Sequence, residues 1–256
     1  MRNYAAAQLI GTRTEQCDAT AVRTVDGVRA YVLLDGIGSS EEVREWTRTA
    51  AVRLAGRAAY RGDAAAALTA LYEQYAQEPE RQDPYMVRYM PTAAAVVAVH
   101  VPGEPLQVAW CGDSRAYLLD GGLALRLTED HNMRRVAPPS AMFPDGGNRN
   151  MITSYLGSGH SDQEVKGAYG HPRIESVTRE ITRPCRLLLA SDGAYEPIED
   201  APYLDLFTEL DDDPLTGITQ QFVRLAVHTS EKETRAIDPA RVSADNATVL
   251  LAELTP

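Results

Sequence analysis

Lysine is nearly missing from this chain of 256 residues: Lys166 and Lys232 are the two, and arginine supplies the rest of the 25 basic residues. Asp and Glu number 36, so the formal charge is −11. That shortage of positive charge excludes the broad basic surface with which nucleic-acid binders displace counterions, though a local basic pocket stays open. No apolar stretch reaches about 18 residues, so no membrane-spanning helix is expected. Met1-Arg2-Asn3-Tyr4 runs into a short Ala-rich stretch that lacks the longer apolar core of a signal peptide. The three cysteines, Cys17, Cys111 and Cys185, are odd in number and form no CxxC pair. They argue against a disulfide framework and for a reducing, cytoplasmic setting. Neither an internal repeat nor a low-complexity linker is visible, so residues 1–256 read as one domain. Hydrophobic residues at 44% and charged residues at 24% exclude a disordered chain.

What is present falls into two patterns. Short apolar runs bounded by turns read as strands: Val28 to Leu34, Ala94 to Val101, Leu106 to Cys111, Arg115 to Leu119, Leu123 to Leu127, Arg186 to Ala190 and Ala247 to Ala252. Asp120-Gly121-Gly122 between two of them is a hairpin signal. Three stretches read as helices. Ser39 and Glu42 have capping-box spacing ahead of Val43, Trp46, Ala50 and Leu54. Asp63 to Gln77 carries Leu68, Leu71, Tyr72 and Tyr75 roughly on one side. Asp213-Pro214 suits the opening of a helix through about His228, with Asp211-Asp212-Asp213 as its solvated start. Residues 138–170 are rich in Gly, Pro, Asn and Asp and read as a long loop with some short structure. Strands precede, separate and follow the helices without regular alternation, which predicts an α+β layered fold.

Four carboxylates sit where apolar runs end or begin: Asp35, Asp113, Asp192 and Asp245. Asp and Gly after a strand also simply make turns. If the four converge, they repel strongly in a low-dielectric site, and a divalent cation relieves the repulsion. Hard carboxylate oxygens suit Mg²⁺ or Mn²⁺ rather than Zn²⁺.

Longer strings carry a resemblance. Arg13-Thr14-Glu15-Gln16-Cys17-Asp18-Ala19, Asp35-Gly36-Ile37-Gly38 and Pro91-Thr92-Ala93 come first. Gly112-Asp113-Ser114-Arg115-Ala116-Tyr117-Leu118 and Leu127-Thr128-Glu129-Asp130-His131 follow. Arg149-Asn150-Met151-Ile152-Thr153, Leu156-Gly157, Ser191-Asp192-Gly193 and Asp245-Asn246-Ala247-Thr248-Val249 complete the set. In this order they resemble the metal-dependent protein phosphatases of type 2C over nearly the whole chain.

The resemblance implies two antiparallel β-sheets packed face to face and flanked by helix pairs. It implies a water, activated by metal, that hydrolyses phosphoserine and phosphothreonine in proteins. Asp35 then bridges two Mg²⁺ or Mn²⁺ ions, helped by the carbonyl of Gly36. Asp192 and Asp245 complete the first metal's shell, and Asp113 with Asp192 holds a third, weaker ion. Asp18 orients the water and Arg13 binds phosphate. The partner implied is a phosphoprotein substrate, set against a Ser/Thr kinase; neither nucleic acid nor membrane is expected.

Two positions depart from the family pattern. Ile37 stands where the family has a histidine thought to protonate the leaving group, and isoleucine transfers no proton. His131 or His160 is a substitute only if the loops bring one close. Cys17 stands where the family usually has a Glu supporting the second metal, which weakens that site. Glu15 shares a face with Cys17 if the segment is a strand and then compensates through a water; otherwise Cys17 is a small buried packing residue. An attenuated enzyme is expected, and a pseudophosphatase that binds phosphoproteins without turnover is the alternative.

Overall fold

The uninterrupted apolar runs are explained by burial on both faces. The computed structural model describes residues 3–121, 123–201 and 214–256. Among the described residues there are ten strands: β1 Tyr4–Leu9, β2 Ala19–Val25, β3 Val28–Gly36, β4 Ala93–His100, β5 Leu106–Cys111, β6 Arg115–Asp120, β7 Leu123–Arg126, β8 Glu175–Arg179, β9 Cys185–Ala190 and β10 Ala247–Leu254. The α-helices among the described residues are α1 Glu41–Arg61, α2 Ala64–Ala76, α3 Pro79–Gln82, α4 Met133–Val136, α5 Asp162–Tyr169, α6 Asp192–Glu199 and α7 Leu215–Ile237. One sheet has the order β1-β10-β9-β6-β7 and the other β2-β3-β4-β5-β8, with antiparallel neighbours throughout.

The period of two along each strand sorts side chains between layers. In β3, Tyr31 and Leu33 enter the layer between the sheets, whereas Ala30, Val32 and Leu34 meet α1 and α2. In β10, Leu250, Ala252 and Leu254 face the other sheet, whereas Ala247, Val249 and Leu251 meet α6 and α7. The expected α+β sandwich of two sheets flanked by helices is therefore present. A leucine buried this way contributes about 1.5–3 kcal/mol. Ala50, Ala51, Ala55, Ala58 and Ala59 line the buried side of α1, and their small side chains let the helix lie close to its sheet.

Three strands escaped the sequence pattern: β1, β2 and β8. All three are sheet edges. An edge strand buries less, so its apolar alternation is diluted; Glu175-Ser176-Val177-Thr178-Arg179 has a single aliphatic residue. The fourth edge, β7, was legible because its hairpin pairs Asp120 with Leu123 around Gly121 at φ +57°.

The expected box of Ser39 with Glu42 does not form. Ser40 is the N-cap of α1 and accepts from Val43 N–H at 3.3 Å. The Ser39 hydroxyl instead lies 3.0 Å from the Thr14 hydroxyl and accepts from Glu15 N–H. A capping box does form at α5, between Ser161 and Glu164. The helix after Pro214 runs to Ile237, past the expected end; Asp211–Asp213 lie outside the described residues.

Candidate active site

Each strand-end carboxylate owes its position to the sheet that delivers it. Asp35 is the penultimate residue of β3, opposite Ala94 of β4. Asp113 sits in the turn from β5 to β6, Asp192 opens α6 straight after β9, and Asp245 lies just before β10. β3 and β5 belong to one sheet, β9 and β10 to the other, so both sheets contribute at one rim of the sandwich. Asp35, Asp113, Asp192 and Asp245 line a single cleft of about 300 Å³ with Arg13, Gly36, Ile37, Gly38, Asn150 and Ile152. The sites predicted from sequence thus share one place, apart from Asp18, which is buried just before β2.

Close approach of backbones shapes the rim. Gly112 has φ +106°, and a Cβ there would stand 2.4 Å from that of Ala94. A Cβ on Gly36 would meet the Cys17 carbonyl oxygen at 2.5 Å. Glycine is needed at both positions.

The carboxylates disturb one another. Loss of bulk water raises the pKa of Asp35 well above the ordinary range, and the charges of Asp18, Asp192, Asp113 and Asp245 push it the same way. Burial, then Asp192 and Asp130, raises Asp113. Burial, then Asp245, raises Asp192. Asp18 is lifted to about 7, chiefly by burial, with the charge of Asp192 pushing it the same way. Both carboxylate oxygens of Asp18 and Oδ1 of Asp113 are buried without a hydrogen-bond partner. Such oxygens are costly to leave unpaired, and a hard divalent cation in the cleft fits this donor chemistry. Among the described residues, no three His, Cys, Asp or Glu form a ready metal cage. Asp245 is occupied otherwise. Its Oδ2 takes Arg13 Nη2 at 2.5 Å and its Oδ1 takes Asn246 N–H at 2.7 Å.

Residues 11–18 are not a strand, so the alternation that would have aligned Glu15 with Cys17 does not apply. Glu15 binds Arg44 of α1 at 2.6 Å and lies outside the cleft. Cys17 is 1% exposed, its Sγ donates to the Ser40 carbonyl at 3.6 Å, and its N–H donates to Asn246 Oδ1. It packs as a small buried residue between the two sheets' loops. Neither histidine replaces the one missing at Ile37. His131 is fully buried, and His160 does not line the cleft.

His131 has a different place, which its string alone did not reveal. Its N–H donates to the Gly112 carbonyl at 3.0 Å, and Gly112 N–H donates back to Nδ1 at 3.4 Å. Thr153 N–H donates to the His131 carbonyl at 2.8 Å. One residue thereby ties the Asp113 turn to the segment that brings Asn150 and Ile152 to the cleft. Nε2 faces Glu175 Oε2 at 2.8 Å, and Arg135 closes the chain on the same carboxylate. With Nδ1 accepting, Nε2 carries the proton.

A model of protein phosphatase 2C matches residues 29–137, a span that holds Asp35 and Asp113. The resemblance to type 2C phosphatases therefore holds. A putative protein phosphatase of Mycoplasma pneumoniae is 28% identical over 138 residues, 53% of this chain and 50% of that protein. The match thus spans about half of the relative's length. The serine/threonine phosphatase of S. agalactiae superposes with TM-score 0.73 at 18% identity, covering 99% of either chain. Serine/threonine phosphatase Stp1 of Staphylococcus aureus gives 0.71 at 18%, covering 100% of this chain and 96% of that one. At such identities the likeness is one of fold, and it covers β9 and β10, next to which Asp192 and Asp245 lie.

Proposed function

We propose that this protein is a metal-dependent phosphatase that hydrolyses phosphoserine and phosphothreonine in protein substrates, at an attenuated rate, in the cytoplasm and against a Ser/Thr kinase. One observation carries the reading: four strand-end aspartates from two sheets line one cleft with an arginine. Asp35, the Gly36 carbonyl, Asp192 and Asp245 would hold Mg²⁺ or Mn²⁺ there, with Asp113 and Asp192 available to a further, weaker ion. When bound, such ions lower the pKa of water and neutralise developing charge on phosphoryl oxygens.

The protein's own groups do the rest. Arg13 has a planar fork suited to two phosphate oxygens. It must first release Asp245, and that exchange is easy because both side chains are more than two-fifths exposed. Asp18, buried beside Asp35, would accept a hydrogen bond from the attacking water and orient it. Cys17 leaves the second cation without the carboxylate usual in the resemblance, which is the source of the attenuation.

The expected outcome is Mn²⁺-dependent hydrolysis of p-nitrophenyl phosphate that disappears in Asp192→Ala. The second reading, a pseudophosphatase that binds phosphoproteins, draws on the Arg13–Asp245 ion pair and on the lack, among the described residues, of a ready three-residue metal cage. Complete inactivity of folded protein at millimolar Mn²⁺ decides for it.

A further inference from the structure

None of the five histidines of the chain reaches the cleft. His131 and His171 are buried, the first against Glu175 and Gly112, the second against Thr153 Oγ1 at 2.7 Å. His100 faces the Thr255 carbonyl at 3.0 Å. His160 lies before α5 and His228 on α7, and neither lines the cleft. Among the described residues that do line it, there is no His, Lys, Tyr or Cys. The carboxylates there are the oxygen ligands that the cation would take up. Arginine does not give up its proton. Among the described residues, the cleft's lining therefore offers no side chain to protonate a departing oxygen. Where a donor would stand, it has hydrocarbon instead. Ile37 is 41% exposed, its N–H is fixed to the Thr92 carbonyl at 2.9 Å, and Ile152 lines the same cleft.

We propose that this cleft turns over phosphotyrosine and other aryl phosphate monoesters faster than phosphoserine or phosphothreonine, and that Ile37 sets the preference. The proposal rests on the phosphatase reading above. In the step, the oxygen of water forms a bond to phosphorus and the ester P–O bond breaks. The leaving oxygen departs with the electron pair, the water's proton passes to solvent, and the leaving oxyanion takes a proton from solvent afterwards. A phenol has a pKa of about 10 and leaves readily as its anion. A seryl or threonyl alkoxide is nearly as basic as hydroxide, whose parent water has a pKa of about 15.7. It needs an acid at the moment of cleavage, and such an acid is worth about 10²–10⁴ in rate. The isoleucine walls also suit an aromatic ring, which buries apolar surface that a seryl methylene lacks.

The test uses the full chain with Mn²⁺ and two peptides of one sequence, phosphorylated on tyrosine or on threonine, with p-nitrophenyl phosphate as control. The phosphotyrosine peptide should show a kcat/KM at least about 10²-fold higher. Across substituted phenyl phosphates, log kcat should fall steeply as the leaving-group pKa rises. Ile37→His should flatten that slope and gain at least tenfold more on the phosphothreonine peptide than on p-nitrophenyl phosphate. Ile37→Ala, which adds no acid, should keep the slope and raise KM for the phosphotyrosine peptide. Equal rates on the two peptides, or a faster phosphothreonine peptide, overturn the proposal and leave the phosphatase reading standing. Absence of p-nitrophenyl phosphate turnover in folded protein removes that reading, and the proposal with it.

Discussion

Asp18 offers a measurement of what the site costs the fold. Its side chain is buried at 2% exposure, and neither carboxylate oxygen has a hydrogen-bond partner. An unpaired buried polar group costs about 1–3 kcal/mol, and charged groups cost more. Two such oxygens destabilise the metal-free protein by about 2–6 kcal/mol. Asp18→Val keeps roughly the same volume and removes both oxygens. The backbone contacts of residue 18 survive, since Gln8 Nε2 donates to its carbonyl and its N–H donates to Gln16 Oε1. A gain of even 2 kcal/mol corresponds to about 4–8 °C in Tm for a chain of this size. Calorimetry in EDTA should therefore show Asp18→Val melting at least about 4 °C above the wild type. The same variant should lose Mn²⁺-dependent aryl phosphate turnover by about 10²-fold or more, because water is no longer oriented. Asp18→Asn, which leaves an amide unpaired, should gain less stability. A lower Tm for Asp18→Val in EDTA would refute the reasoning, since it would mean that the carboxylate has partners that stabilise the fold.

Two further outcomes are expected. Burial alone would raise the pKa of Glu175, but hydrogen bonds from His131 and Arg135 outweigh it and bring the carboxyl to about 2 from an ordinary 4.5. The folded value lies below the unfolded one, so the stabilisation is complete above pH 4.5 and is lost as pH falls towards 2, by about 3 kcal/mol. Urea midpoints measured across that range should drop more for the wild type than for Glu175→Gln; parallel curves would remove the assigned role. Cys17→Glu should lower the Mn²⁺ concentration for half-maximal rate and raise the amount of Mn²⁺ bound in calorimetric titration. An unchanged requirement counts against any link between position 17 and the second cation.

The central strands were legible because they are buried on both faces: β5 matched its apolar run at both ends. The edge strands were not, since half-burial leaves room for Arg23, Thr24 or Glu175 and blurs the period of two. The four aspartates were legible for a related reason. Each interrupts or bounds an apolar run that has no other use for a charge, and the sheets bring those ends to one rim. What no local pattern encoded was partnership across the chain. Arg13 meets Asp245, 232 positions away, and Glu15 meets Arg44 on α1. The reciprocal bonds of His131 with Gly112 depend on a turn whose glycine was visible but whose partner was not.

These partnerships separate two parts of the chemistry that the sequence strings had joined. The electrostatic part needs carboxylates near one another, and their mutual perturbation is what a cation requires; Asp35, Asp113, Asp192 and Asp245 retain it. The proton-donating part needs one group at the rim, and Ile37 lacks it. On the proposed function, a site that keeps the first and lacks the second would still polarise a phosphoryl group. It would then select leaving groups that depart unaided. Ile37 is thus better read as a constraint on which esters react than as damage to a cleft that keeps Asp35, Asp113, Asp192 and Asp245.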